Sequence, residues 1–404
     1  MKKIFNSLIY LLIVIYSVEI LLFIFSSDLQ KSLVNIKGKR IEIAKEKKLN
    51  FDPRESELVF FEQKKKIKDL SVPFYYSSLF SNFKAFNQAK ENNEIIPFRG
   101  PINKKTLSCA EDLNYRIIEN DKYGFKNFNS VYDKEIDAIL LGGSFAEGFC
   151  YSSEQDIAGN LIKNGINTLN LGVATTGPLV SLAVLKEFTQ HYKPKNVFYL
   201  YYESNSLDVL KWEKRDNRLV EYLIPGHQTN YLNNIKKIKQ FLYSIEQESI
   251  EIAKNKVQLN SKKENNSESN YTENIQDILE INILKNRLRS IFNSKKKDYD
   301  LIFFNKTIVE MKRQTEEWNG NFTFVYIPSW DRFFNSSSNL HAIISLRKEI
   351  IDNLKRQKIN VIDTTEIFAK IENLADYYPL GYVGHFNDRG YKKVADILKE
   401  GIFK

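Results

Sequence analysis

The chain is short of the residues from which metal and redox centres are built. Among its 404 residues are only two cysteines and four histidines, and neither cysteine sits in a C-x-x-C or Cys/His ligand pattern, so no metal site is expected. The glycine pair in Asp137–Glu147 does not fall as G-x-G-x-x-G and is not followed by a Lys-Ser/Thr pair, which argues there against dinucleotide and P-loop phosphate cradles; no cofactor is expected. The balance of 59 basic to 50 acidic residues leaves a formal charge of +9. These lysines are spread among asparagines and isoleucines rather than gathered with aromatics, which argues against a nucleic-acid partner. The basic surface is read as solvated, with attraction to acidic glycans or lipid headgroups as a secondary property.

What is present starts with an apolar run from Ile4 to Phe25, interrupted by Glu19 and preceded by Met1-Lys2-Lys3. It is long enough to cross a bilayer, and Phe23-Ile24-Phe25-Ser26-Ser27-Asp28 offers no small-x-small cleavage site, so residues 1–27 are expected to anchor the chain in a membrane. Lys31, Lys37, Lys39 and Arg40 follow the run. A strict positive-inside count would keep the remainder in the cytoplasm, but that rule is weak against long translocated domains, and export is expected. Residues 28–95 are mixed and charged and read as a membrane-proximal stalk or cap.

From Asp137 apolar runs alternate with helical stretches: Ala138–Leu141, Asn167–Leu171, Asn196–Tyr202, Phe322–Ile327 and Ile359–Ile362 read as strands. This rhythm predicts an α/β fold, a three-layer α/β/α sandwich around a five-stranded parallel sheet of flavodoxin-like order 2-1-3-4-5. It breaks between about 209 and 300, where two amphipathic helical patterns flank the polar stretch Asn260 to Asn274; this is read as a helical, partly flexible insertion in a domain spanning 96–404.

The first strand of this series runs into Gly142-Gly143-Ser144 at the start of a short helical pattern. A buried strand ending in two glycines can present a serine hydroxyl and free helix N–H groups to one crevice, the arrangement of an acyl-transfer nucleophile. Ser144-Phe145-Ala146-Glu147 also fits a capping box, in which the serine caps the helix and the glutamate reaches back. Further blocks fall at the same sheet edge: Asn170-Leu171-Gly172 after the second strand, Glu203-Ser204-Asn205-Ser206 after the third, and Gly384-His385-Phe386-Asn387 in the last loop. Of the four histidines, only His385 stands in a loop at that edge.

In this order the four blocks resemble the SGNH, or GDSL-type, esterase and acyltransferase superfamily, over roughly residues 97–208 and 318–404. The resemblance implies that Ser144 is the nucleophile and His385 the general base, with the Gly172 N–H and the Asn205 side chain completing an oxyanion hole. The acid usual three residues before the histidine is replaced by Tyr382. A Ser-His dyad, a backbone carbonyl, or a carboxylate from elsewhere are the alternatives, with Asp363 and Asp388 as candidates. Cys109, Asp121-x-x-Gly124-Phe125 and Cys150 are similar to a membrane-anchored subgroup of bacterial envelopes. That likeness implies a single-pass inner-membrane protein with a periplasmic domain, an acylated glycan or other ester as substrate, and envelope polysaccharide machinery as partner. Cys109 and Cys150 then form either a disulfide or a pair of buried thiols.

Overall fold

The structure is a computed structural model that describes residues 16, 36–76, 95, 97–264, 299–334 and 340–403. The expected membrane span lies outside the described residues except for Tyr16. No helix among the described residues is long and apolar enough to cross a membrane. Two compact units are present. Met1–Lys47 with Ala253–Tyr299 forms one, in which the helix Ile36–Glu46 buries Ala44. Lys48–Ile252 with Asp300–Lys404 forms the other and holds every residue of the candidate site.

In this larger unit a hairpin precedes the main sheet. Strand β1 (Lys105–Leu107) pairs antiparallel with β2 (Ile117–Glu119), and a two-residue strand, Leu70–Ser71, extends it in parallel. Residues 108–116 form the hairpin's tip.

The main sheet comprises β3 (Ala138–Gly142), β4 (Thr168–Asn170), β5 (Asn196–Tyr202), β6 (Asn321–Ile327) and β7 (Asn360–Asp363). All pairings are parallel, in the order β7-β6-β5-β3-β4. This is the expected 2-1-3-4-5 order, with strand limits within two residues of those read from the apolar runs. The runs are continuous because both faces are covered, and alternate residues serve two cores. Ala138, Leu140, Phe198, Leu200, Val325 and Ile327 share one cluster with Ile157, Leu161, Val394 and Leu398, which lie on α2 (Ile157–Lys163) and α9 (Asp388–Ile402). The opposite face carries Ile139, Leu141, Tyr199, Tyr201 and Phe324, all buried. It meets α3 (Pro178–Tyr192) and α6 (Leu301–Glu316), with Tyr201 edge-on to Phe304. Each fully buried Leu, Ile or Phe contributes about 1.5–3 kcal/mol of transfer free energy.

Four more helices complete the parts that matter for the site. They are α1 (Ser144–Glu147), α4 (Ser206–Glu213), α7 (Trp330–Phe334) and α8 (Leu340–Arg356). The first residues of the expected insertion therefore continue the domain as α4, and the helix α5 (Ile235–Glu264) buries Ile238, Leu242 and Ile245. Residues 265–298 lie outside the described residues.

Candidate active site

Ser144 is placed by the collision that a side chain at Gly142 would cause. Gly142 has φ +136°, and a Cβ there would stand 2.5 Å from the Leu200 carbonyl oxygen of the neighbouring strand. Only glycine lets β3 turn this sharply against β5, so Ser144 emerges at the carboxyl edge of the sheet as the first residue of α1. The capping box is not formed: Gly143 is the N-cap and makes no side-chain cap bond. The Ser144 hydroxyl meets His385 instead, with Oγ 2.7 Å from Nε2.

The other side of the imidazole settles its tautomer. His385 Nδ1 lies 3.0 Å from Glu111 Oε1, and the His385 backbone N–H donates to Glu111 Oε2 at 2.7 Å. An ionised carboxylate only accepts hydrogen bonds, so Nδ1 carries the proton and Nε2 offers its lone pair to the Ser144 hydroxyl. The ring stands between Phe145 and Phe149, with centroids 4.9 and 5.0 Å away, and Phe145 stacks on Tyr202 at 4.1 Å. Histidine and glutamate side chains are 20% and 15% exposed. The pair is shielded on its faces and open at its edge, as a base that must hand a proton to substrate requires.

The carboxylate that meets His385 is Glu111, which reading along the sequence did not find. It lies on the hairpin tip, 274 positions before the histidine and two positions after Cys109, which is joined to Cys150 in a disulfide. Among the described residues no cysteine is free. The signal available in the sequence was its place two residues after Cys109. Neither expected carboxylate takes the role. Asp363 ends β7 and is held by Arg347, at 2.5 Å from Nη2. Asp388 is exposed in the first turn of α9.

The oxyanion side differs from expectation at one residue. The Gly172 N–H is donated to the Asn170 side-chain oxygen at 3.0 Å, so it is not directed at Ser144. Glycine is needed there for closeness, since a Cβ would lie 2.4 Å from the Glu147 backbone nitrogen. Asn205 stands at the N-cap of α4, exposed, with its side chain making no cap bond. It occupies the end of the strand beside the nucleophile's own. The Ser144 N–H, the first of α1, has no acceptor within its helix.

Buried charges fasten these loops from behind. Glu147, instead of capping α1, accepts from Arg99 Nη2 at 2.9 Å and from the Ala174 N–H at 2.5 Å. Both members of this ion pair are nearly inaccessible, at 2% and 5%. Thr175 next to it is held at φ +62°, a left-handed conformation costly for a β-branched residue. Glu213, at the far end of α4, accepts from the Gly177 and Leu179 N–H groups at 2.6 and 2.9 Å. It thereby ties the helix that begins beside Asn205 to the exit of the Gly172–Gly177 loop. Burial pushes the Glu213 carboxyl up to about 7, against the opposing pull of those N–H groups. Behind the nucleophile, Lys126 donates to the Gly148 and Tyr151 carbonyls and pairs with Asp156 at 3.0 Å. Among the described residues no cluster suited to a metal ion occurs.

No protein-family model and no curated protein matches the chain. Solved structures do. A GDSL-like lipase from Bacteroides thetaiotaomicron is 13% identical, covering 67% of this chain and 89% of its own, with a TM-score of 0.34. A member of the lipolytic protein G-D-S-L family from Veillonella parvula is also 13% identical, covering 65% and 96%, with a TM-score of 0.34. A family 3 carbohydrate esterase from Clostridium thermocellum is 11% identical, covering 66% and 94%, with a TM-score of 0.32. The roles given to Ser144, His385 and Glu111 stand on the distances above. The solved structures to which the chain is similar are described as GDSL-family lipolytic proteins and a carbohydrate esterase.

Proposed function

We propose that the protein is a serine esterase of the SGNH type that removes O-acyl groups, acetyl first among them, from an envelope or exported polysaccharide. One observation carries the reading: a serine hydroxyl 2.7 Å from an imidazole nitrogen whose opposite nitrogen faces a carboxylate at 3.0 Å. As Oγ attacks the acyl carbon, its proton passes to Nε2, and Glu111 stabilises the imidazolium that forms. Collapse of the tetrahedral adduct breaks the bond to the sugar oxygen, which leaves with that proton. Water, deprotonated by the same nitrogen, then releases the acid from Ser144. The Ser144 N–H and Asn205 are the donors for the developing oxyanion, each worth about 3–4 kcal/mol by comparison with measured oxyanion-hole losses.

The finer points have their own support. Trp330, the first residue of α7 after β6, stacks on Phe334 at 3.8 Å, and Phe334 is 39% exposed; Tyr382, three residues before the base, lies 6.4 Å from the Trp330 ring. A ring surface at the same edge as the nucleophile suits the apolar face of a sugar. A disulfide persists in an oxidising compartment, which favours a periplasmic domain behind an inner-membrane anchor at residues 1–27, with 28–95 as its stalk. Partners in envelope polysaccharide assembly follow from that placement.

The test is release of p-nitrophenol from p-nitrophenyl acetate by the full chain in detergent, beside Ser144→Ala and His385→Ala. A burst that depends on Ser144 establishes the acyl-enzyme, and faster turnover on adding sugar acceptors would mark acyl transfer to a hydroxyl instead of water. Equal inertness of three folded proteins would end the simple esterase reading.

A further inference from the structure

The carboxylate that faces His385 is delivered by a segment outside the catalytic sheet, and the ties nearest to it run to the peptide just after Ser144. The tip 108–116 bridges β1 and β2, strands of only three residues each. Internally it is closed by the Ser108 N–H on the Arg116 carbonyl and the Arg116 N–H on the Ser108 hydroxyl, both at 2.9 Å. Outward, Cys109 is bonded to Cys150, with Cα atoms 4.8 Å apart. Arg116 donates to the Cys150 carbonyl at 3.1 Å and lies over the Tyr151 ring at 4.6 Å, while Asp112 pairs with it at 2.5 Å. Cys150 is 4% exposed, and its segment is anchored by Lys126 at the Gly148 and Tyr151 carbonyls.

We infer that the Cys109–Cys150 disulfide is a positioning device for the catalytic acid, which keeps Glu111 on His385 and makes the activity depend on the oxidised state of this pair. The inference rests on the esterase reading for its kinetic consequence. Two residues separate Cys109 from Glu111, a reach of at most about 7 Å of chain, so a fixed Cys109 confines the carboxylate to the neighbourhood of the ring. A general base must be held to about 0.5 Å, and a misplacement of roughly 1 Å can cost about a hundredfold in rate. With the covalent tie gone, the links to the Cys150 segment are one hydrogen bond and one cation–ring contact, both through Arg116; the far part of the tip stays held by the Asp52 N–H on the Leu113 carbonyl and the Tyr115 hydroxyl on the Arg54 carbonyl, both at 2.9 Å. These leave the stretch from Cys109 to Glu111 free to swing. The sheet, Ser144 and His385 need none of them.

The experiment is a double-variant cycle on the full chain: wild type, Glu111→Gln, the Cys109→Ser/Cys150→Ser pair, and the combination. It is read by the rate at which a fluorophosphonate labels Ser144, at a temperature where circular dichroism shows all four folded. Glu111→Gln is expected to slow labelling by roughly 10³–10⁴-fold. The cysteine pair should slow it at least tenfold, and the cost of Glu111→Gln should shrink by about the same factor in that background. A wild-type rate without the disulfide, or the same cost of Glu111→Gln in both backgrounds, overturns the proposal. If the cysteine variants fail to fold, the native protein is treated with dithiothreitol, which reduces the bond to two thiols as it becomes a cyclic disulfide. The rate should fall and return on reoxidation; an unchanged rate with both thiols alkylated is again fatal. A second readout needs no ester chemistry: the low-field proton line of the His385 Nδ1–H, assigned by its loss in Glu111→Gln. That line should vanish with the disulfide, and its persistence would overturn the tether even if Ser144→Ala had already disposed of the esterase reading.

Discussion

Ser144 and Glu111 reach the same imidazole by different means. The serine is held by the bulk of the fold: β3 is buried along its whole length, its neighbours on both sides are paired in register, and a glycine is forced at the turn by the Leu200 carbonyl. The glutamate sits on a short hairpin tip joined to its neighbours by one disulfide and a few hydrogen bonds. The nucleophile's position is thus distributed over a core of many contacts, whereas the acid's is concentrated in a few ties. A distributed position resists single changes, and a concentrated one can be lost at a single atom pair.

The widest break in the comparison is expected at the reacting atoms. Ser144→Ala should lower the rate by about 10⁵–10⁶-fold with no loss of stability, and Glu111→Gln by less, roughly 10³–10⁴-fold, since the base remains beside the hydroxyl but in the wrong tautomer part of the time. Rates of p-nitrophenol release from matched, folded proteins check both. Equal losses would mean that the two residues act as one unit.

Next comes the buried ion pair behind the oxyanion loop. Glu147→Gln leaves the Arg99 guanidinium, 2% exposed, without its counter-charge, at a cost of about 3–5 kcal/mol in a urea titration. It also loosens Ala174 and the strained Thr175, so the remaining folded fraction should show a lower kcat with little change in KM. A variant as stable as wild type would place the support of that loop elsewhere.

The smallest effect is a change in pH dependence. The folded Glu213 carboxyl is pushed by burial to about 7 from 4.5. Between these values the folded state binds a proton that the unfolded chain has released, so stability is full below about 4.5 and falls as pH rises toward 7. The span amounts to roughly 3 kcal/mol. Glu213→Gln should flatten this slope, as read by thermal midpoints at pH 4.5 and 7.5. An unchanged slope would show that Glu213 is not the group responsible.

Much of this was legible in the order of residues because the sheet is doubly covered. A strand buried on both faces reads as an apolar run, so the well-buried strands β3, β5 and β6 stand out, and glycine followed by serine at the end of one marks the point where chemistry can emerge. The blocks around Gly172, Asn205 and His385 are visible for the same reason: each follows a strand or precedes a capped helix. Gly172 shows how such a reading goes astray. Glycine was needed there for its missing Cβ, against the backbone of α1, and the direction of its N–H was decided by Asn170, a neighbour whose side chain could equally have turned elsewhere. Glu147 misled in the same way, since local spacing favoured a cap and a distant arginine won.

By itself, the sequence determined the alternation of strands and helices, the parallel sheet and the edge at which Ser144 and His385 meet, all of which follow from local periodicity and turn chemistry. Only the tertiary structure decided the acid, the buried arginine partner and the carboxylate that ties α4 to the oxyanion loop. Each of these is a contact between segments far apart in the chain, 274 positions for Glu111 and His385 and 48 for Arg99 and Glu147. No local pattern of charge or hydropathy records which carboxylate a folded loop will bring to which nitrogen.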